Sequence, residues 1–323
     1  MAAVVVEAAV EAVEVEFSWN VAYALVRAAP TLVSSLFLRR DYFMSSNMRD
    51  RVGISWRPEL AAGILSNLSR IDALEVIAED YFDSPARARA LRTLAAQVPI
   101  QLHGISLGMA STAPVDRKRL EKMARLADRV QPESWSEHLA FVRAGGIEIG
   151  HLAAPPRTSS TIDGTAANLS IAKTVVGSHP QVENIATLID PPASDRDEPA
   201  WLSETLASSG AGLLLDLHNL YANSINFRLD PQAFLARLPI ERIHTVHISG
   251  GQWIHDGDPE HRRILDDHLH DPPDPVYDLL TALAARCPNS LTVILERDGK
   301  YPSMTQLLLQ LDRARRALES GRS

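Results

Sequence analysis

From Arg51 onward, short runs of aliphatic and β-branched residues alternate with longer stretches whose apolar positions recur at helical spacing. The short runs are Val52–Trp56, Leu74–Glu79, Ile100–Ile105, Ser134–Phe141, Gln181–Ile185, Gly212–Leu217, Ile243–Ile248 and Leu291–Leu295. Most are apolar on both sides, as expected of parallel strands covered on two faces. Helical patterns fill the gaps at Pro58–Arg70, Pro85–Gln97, Asp116–Val130, Ala166–Val176, Pro199–Ser208, Pro231–Leu238, Pro275–Ala285 and Met304–Ala317. Several open on proline in the first turn, where its missing N–H costs nothing, and Ser84 is placed to cap the second. Asp116–Val130 carries Leu120, Met123, Ala124, Leu126 and Ala127 on one stripe.

Eight β-then-α units in about 270 residues predict a single-domain (β/α)8 TIM barrel. An open doubly wound sheet usually places a glycine-rich phosphate loop after its first strand. Here that segment reads Trp56-Arg57-Pro58-Glu59. Two connections are longer than the rest: His151–Asp163, and Gly250–Pro273, which is rich in Asp and His. Long loops in compact domains are usually functional. The second follows a strand and is expected on the face where barrels carry their chemistry.

Residues 1–47 read as an extension outside the fold, with the barrel domain spanning 48–323. Their apolar run from Val21 to Leu38 is broken by Arg27 and Pro30, and Arg39-Arg40 follows it. Basic residues after the apolar stretch argue against a signal peptide, and the central Arg and Pro argue against a spanning helix. No membrane association is expected. The chain has 323 residues, a formal net charge of −8 and an ordinary 46% hydrophobic content. That charge argues against a nucleic-acid partner, whose phosphates require a basic face. The one cysteine, Cys287, permits no internal disulfide and no thiolate metal site. It precedes Pro288 and reads as a helix-end packing residue. A reducing cytoplasm is the expected location.

The strand ends change the picture. They supply Glu79, His103, Glu137 and His138, Glu183 and Asn184, Asp216, His218 and Asn219, His247, and Glu296, Arg297 and Asp298. The long loop after the seventh strand adds Asp266 and His268. Barrel interiors are packed with branched apolar side chains, and polar groups belong at the upper rim. Clustered carboxylates repel one another and desolvate at a cost unless cations neutralise them. Imidazole and carboxylate without sulfur suit iron, manganese or zinc. A mononuclear catalytic site uses about three protein ligands, so this crowd points to two or three ions. His151, His179, His244, His255, His261 and His270 read as surface or loop residues. Glu75 reads as a carboxylate buried against a basic partner, and Arg297 and Asp298 as groups that orient ligands.

The phrases Leu74-Glu75-Val76 through Glu79-Asp80-Tyr81, Leu102-His103-Gly104-Ile105-Ser106-Leu107, Ser136-Glu137-His138-Leu139-Ala140 and Val182-Glu183-Asn184-Ile185 carry a resemblance. It continues through Leu214-Leu215-Asp216 to Asn219, Asn226, Val246-His247-Ile248-Ser249-Gly250, Asp266-Asp267-His268 and Leu295-Glu296-Arg297-Asp298. In these motifs and their order, from about Arg51 to Arg316, the chain resembles the multinuclear non-haem iron-dependent oxidative enzymes. This family includes the enzyme that installs the oxazolone-thioamide groups of methanobactin. The resemblance implies two or three irons of mixed Fe(II)/Fe(III) state, dioxygen as co-substrate, and oxidation of cysteine in a ribosomally made precursor peptide. It implies the metal ligands His103, His138, Glu183, Asp216, His247, Asp266, His268 and Glu296, and Asp266 and His268 are expected to be catalytic as well. Glu79, Asn184, His218, Asn219, Arg297 and Asp298 would then stand around the ligands. A separate partner protein is expected to recognise the precursor's leader.

The chain departs from the family pattern at Glu137, where Asp is usual, and at Asp80 and His218, where Asn is usual. Gln252 stands where a second His normally follows the glycine of the long loop. Two other readings are a divalent-metal sugar isomerase or endonuclease-type barrel, and a non-catalytic metal- or peptide-binding scaffold. The first would work without dioxygen; the second would consume none.

Overall fold

The computed structural model describes residues 49–144, 146–254 and 262–323. Its strands are β1 (Arg51–Ser55), β2 (Leu74–Ile77), β3 (Ile100–Gly104), β4 (Ser134–His138), β5 (Phe141–Ala144), β6 (Ile147–Ala153), β7 (Gln181–Glu183), β8 (Gly212–Asp216), β9 (Ile243–Ile248), β10 (Gly250–Ile254), β11 (Arg263–His270) and β12 (Thr292–Leu295). Eight of them close into a parallel barrel in the order β1-β12-β9-β8-β7-β4-β3-β2. This is the (β/α)8 barrel the alternating pattern predicts, and each of the eight expected strands is present within a few residues. Leu213, Leu214 and Leu215 on β8 and Val293, Ile294 and Leu295 on β12 are all buried. Strands apolar on both faces can be satisfied only between a packed lumen and an outer layer of helices. β1 and β2 approach so closely that a Cβ on Gly53 would lie 2.2 Å from the Ala73 carbonyl oxygen. Glycine is required at that seam.

The helices are α1 (Ala61–Ser66), α2 (Pro85–Ala95), α3 (Arg117–Val130), α4 (Ser159–Val176), α5 (Glu198–Ser209), α6 (Leu217–Phe227), α7 (Pro231–Ala236), α8 (Asp274–Ala284) and α9 (Met304–Arg322). In α3, Leu120, Met123, Leu126 and Val130 are the buried stripe, and the Asp116 carboxylate caps the Lys118 and Arg119 N–H groups. Cys287 is buried just beyond α8, its N–H donating to the Leu283 carbonyl. It is the helix-end packing residue the sequence suggests.

Several boundaries differ from expectation. The run Ser134–Phe141 is two strands, β4 and the start of β5. The Pro58–Arg70 pattern forms α1 between two short 3-10 turns. α4 begins at Ser159, inside the expected long connection, because Thr158 and Thr161 form a capping box there. Antiparallel strand pairs are inserted after β4 and β9: β5–β6 ends at Ala153, just inside the first expected connection, and β10–β11 lies within the second. α6 was not expected at all. The expectations for residues 1–47, and for His255 and His261, lie outside the described residues. Among the described residues no helix is long and apolar enough to cross a membrane.

The lumen is less apolar than usual for this fold. Gln181 Nε2 donates to Thr245 Oγ1 (2.9 Å), while Gln101 on β3 reaches the same oxygen (3.4 Å). β3 and β9 are not neighbours in the barrel, so this contact crosses its interior. A hydrogen-bonded polar layer thus lies beneath the strand ends.

Candidate metal centre

The parallel register lifts the strand-end side chains to a common level. His138 pairs with Glu183 across β4–β7, and Asp216 with His247 across β8–β9. His103 is next to last on β3, and Glu296 directly follows β12. Two groups result. His103, His138 and Glu183 each bring a ligand atom within 4.8 Å of the others, and so do Glu183, Asp216, His247 and Glu296. Glu183 belongs to both. Its Oε2 lies 3.4 Å from His103 Nε2 and 3.6 Å from His138 Nε2, while its Oε1 lies 3.3 Å from His247 Nδ1.

Neighbouring groups fix which atoms face inward. The Ser136 hydroxyl donates to the Leu102 carbonyl, so it accepts from His103 Nδ1 (2.8 Å) and leaves Nε2 toward Glu183. Asp216 is at once the last residue of β8 and the N-cap of α6. Its Oδ1 accepts the Asn219 N–H (2.6 Å), leaving Oδ2 for the centre. His247 directs Nε2 to Glu75 Oε2 (2.9 Å) and Nδ1 to Glu183 and to Glu296 Oε2 (3.1 Å).

The charge balance is strained. Glu183, Asp216, His247 and Glu296 are each at most 4% exposed. Each carries one buried atom without a hydrogen-bond partner: Glu183 Oε2, Asp216 Oδ2, His247 Nδ1 and Glu296 Oε2. Burial raises Asp216 well above the usual carboxylate range, and the charges of Glu183 and Asp266 add to it. Burial alone would lower His138, yet the Glu183 and Glu137 carboxylates push it up to about 9. His247 and His268 are raised against burial in the same way, by Glu296, Glu75 and Glu183 and by Asp266 and Glu296 respectively. Glu183 and Glu296 fall below their ordinary value despite burial, because His247 lies against both. Each shift away from burial's direction comes from an imidazole and a carboxylate held against each other. These orphaned atoms, all oxygen or imidazole nitrogen on residues whose ligand atoms come within 4.8 Å of one another, fit a borderline or hard cation.

The remaining two expected ligands ride on the second hairpin. Asp266 Oδ1 lies 2.9 Å from His218 Nδ1 and 3.0 Å from His268 Nε2. His268 Nδ1 is 3.4 Å from Glu296 Oε2, which joins this pair to the second group. Asp266 sits below its ordinary value although burial opposes it, through His268 and His218. The sequence placed these two side chains on a long loop. They lie on β11, where His268 adopts a left-handed backbone (φ 53°) and Asp298 N–H holds its carbonyl at 3.0 Å. A non-glycine residue rarely takes this conformation, and such residues gather at functional sites.

The flanking residues divide. Asp298 accepts from Arg57 and approaches His268 Nδ1 (3.3 Å). Asn184 and Asn219 brace the ligand loops: Asn184 exchanges hydrogen bonds with the Asp216 backbone, and Asn219 donates to the Asn184 carbonyl. Glu79 accepts from Ile105 N and Ser106 Oγ and holds the loop after β3. Glu137, in place of the usual Asp, accepts from Leu107 N and His138 N. Arg297 is not brought to the ligands; it binds Asp271 and the carbonyls of Gly299 and Lys300. His151 and His244 are exposed, and His179 and His270 half-buried. Sequence reasoning missed Ser136, and it read Glu75 as facing a basic partner without finding that the partner is His247.

Barrel and site together define a class: a (β/α)8 protein with a buried carboxylate–imidazole centre fit for cations. The chain belongs to the RiPP precursor modification enzymes of the MbnB/TglH/ChrH family, which it matches over residues 51–319. RiPPs are ribosomally synthesised, post-translationally modified peptides. Among its relatives, the UPF0276 protein of Streptomyces avermitilis is 36% identical over 276 residues, 83% of this chain and 55% of that protein. The chain thus spans about half the length of that relative. The UPF0276 protein of Bordetella bronchiseptica is 32% identical over 276 residues, covering 84% and 93%. Among solved structures, a xylose isomerase domain protein from Alicyclobacillus acidocaldarius aligns with a TM-score of 0.54 at 17% identity, covering 84% of this chain and 100% of that one. The 3-keto-D-glucoside 4-epimerase YcjR from E. coli gives 0.54 at 11% identity, covering 83% and 100%. Likeness at this level is likeness of fold.

Proposed function

We propose that this chain is an iron- and dioxygen-dependent enzyme that oxidatively modifies cysteine in a ribosomally made precursor peptide. The observation that carries the metal half of the reading is the single orphaned atom on each of Glu183, Asp216, His247 and Glu296. Family membership supports the peptide half. His103, His138 and Glu183 would hold one ion, and Glu183, Asp216, His247 and Glu296 a second. Asp266 and His268 stand where a third would be shared with Glu296. Bound iron supplies electron exchange with dioxygen and the oxidation of the peptide cysteine.

The chain's own residues do the rest. Glu183 offers one oxygen to each group and fixes their spacing. Ser136 and Asn219 orient two of the ligands from behind. The apolar and hydrogen-bonded walls of the lumen keep water from the buried face of the centre. Beside His268, Asp266 Oδ1 is hydrogen-bonded to His218 Nδ1 (2.9 Å), a contact across which a proton can move. A separate protein is expected to present the leader of the precursor.

Anaerobic purification followed by metal analysis tests the reading. Two or three irons per chain are expected, with dioxygen uptake when a cysteine-bearing precursor encoded beside this chain is supplied. Zinc alone, at one ion per chain, would sink it. Turnover of a sugar without dioxygen would establish the isomerase alternative instead, and metal binding without dioxygen uptake the scaffold.

A further inference from the structure

We propose that Glu75 is a positioning residue that makes His247 a ligand through Nδ1, by holding the imidazole proton on Nε2 from inside the barrel. The inference rests on the metal reading above and adds to it a residue outside the ligand groups. Glu75 lies on β2 and is 2% exposed. β2 and β9 are separated in the barrel by β1 and β12, so its 2.9 Å contact with His247 Nε2 spans the lumen below the centre. A carboxylate there is costly to bury and is stable only with a hydrogen-bonding partner. An ionised carboxylate can only accept, so the pair places the imidazole hydrogen on Nε2. Nδ1 then presents a lone pair to Glu183 Oε1 and Glu296 Oε2 at 3.3 and 3.1 Å, with no hydrogen bond to either. Three electron-rich atoms aimed at one another at that distance define a cation position.

His103 is built the other way round. A neutral hydroxyl, Ser136, takes its Nδ1 and leaves Nε2 for the centre. The two rings lie 5.4 Å apart, centroid to centroid. One group thus contains an imidazole backed by a neutral partner, and the other an imidazole backed by an anion. An anionic partner raises the basicity of the ligating nitrogen, so of these two rings His247 is the stronger donor.

The test uses the full chain, 15N-labelled at histidine and loaded with zinc as a diamagnetic probe. Long-range 1H–15N spectra of the wild type are expected to show His247 protonated at Nε2 and metal-bound at Nδ1. In Glu75→Gln, which keeps the shape but not the charge, one zinc is expected to bind about 10- to 100-fold more weakly, with the His103 and His138 signals unmoved. Glu75→Ala should weaken it further. Binding of His247 through Nε2 in the wild type overturns the proposal, and that reading needs no variant to fold. Wild-type zinc affinity in both variants overturns it too. A chain that binds zinc as described but takes up no iron removes the oxidative function and leaves the role of Glu75 standing. A wild-type chain that binds no metal removes both.

Discussion

A histidine serves as a metal ligand only when its proton rests on the nitrogen facing away from the ion. For His103 that task falls to Ser136, whose hydroxyl is itself committed to the Leu102 carbonyl. Ser136→Ala should therefore release the ring while removing little packing. Metal affinity of the His103–His138–Glu183 group is expected to drop about 10- to 100-fold, with the thermal midpoint nearly unchanged. Zinc titration by calorimetry beside a melting curve reads both, and equal affinity would remove Ser136 from the account. The ligand-type residues themselves were legible in the sequence, because His, Asp and Glu at the ends of apolar strands break the pattern of a packed barrel. Their partners were not. Glu75 and His247 are 172 positions apart, and only closure of the barrel brings them together. A serine between two strand residues carries no mark of its task.

At the scale of elements, α6 and the β10–β11 hairpin form a unit whose joint is Asn226. Its amide donates to the carbonyls of Thr187 (3.1 Å) and Ile264 (3.0 Å), and its oxygen accepts the Ile264 N–H (2.8 Å). Asn226→Ala would leave three backbone groups unpaired, at a cost of about 1–3 kcal/mol where they cannot reach water. Faster amide exchange at Ile264 and lower activity are expected, with ion binding by His103, His138 and Glu183 retained. Unchanged exchange at Ile264 would show that the hairpin is held elsewhere. The apolar stripe that exposes other helices to sequence reading is diluted in α6. It buries His218, Asn219, Asn223 and Ser224 beside Leu217 and Leu220, and buried polar residues register as solvent-facing in any periodicity. The hairpin hid for a related reason. Asp266, Asp267 and His268 lack β propensity, and the strand there is held by Asn226 and by Gly250, whose Cβ would lie 2.3 Å from the Asp271 carbonyl oxygen.

For the whole molecule, stability carries a pH dependence unrelated to the centre. Glu198, at the start of α5, is buried against Arg157 and Asn223. Burial outweighs the pull of Arg157 and raises its carboxyl to about 7. The fold therefore holds this proton more tightly than the unfolded chain does. The contribution is complete below the unfolded value, about 4.5, and is lost as pH rises to about 7. Its full size is on the order of 3 kcal/mol. Urea unfolding of wild type and Glu198→Gln across that window should show the wild type losing stability relative to the variant; parallel curves would refute the assignment. The barrel's closure also governs how the protein is made. β1 meets β12 across 241 positions of sequence, with Arg51 hydrogen-bonded to Thr292, and the ligands run from His103 on β3 to Glu296 just past β12. No contiguous fragment of the chain short of that span assembles the full set. During synthesis the centre is thus a late product, completed after the costly long-range pairings are in place. An ion bound there secures the finished barrel against opening and leaves the speed of its formation to the strands.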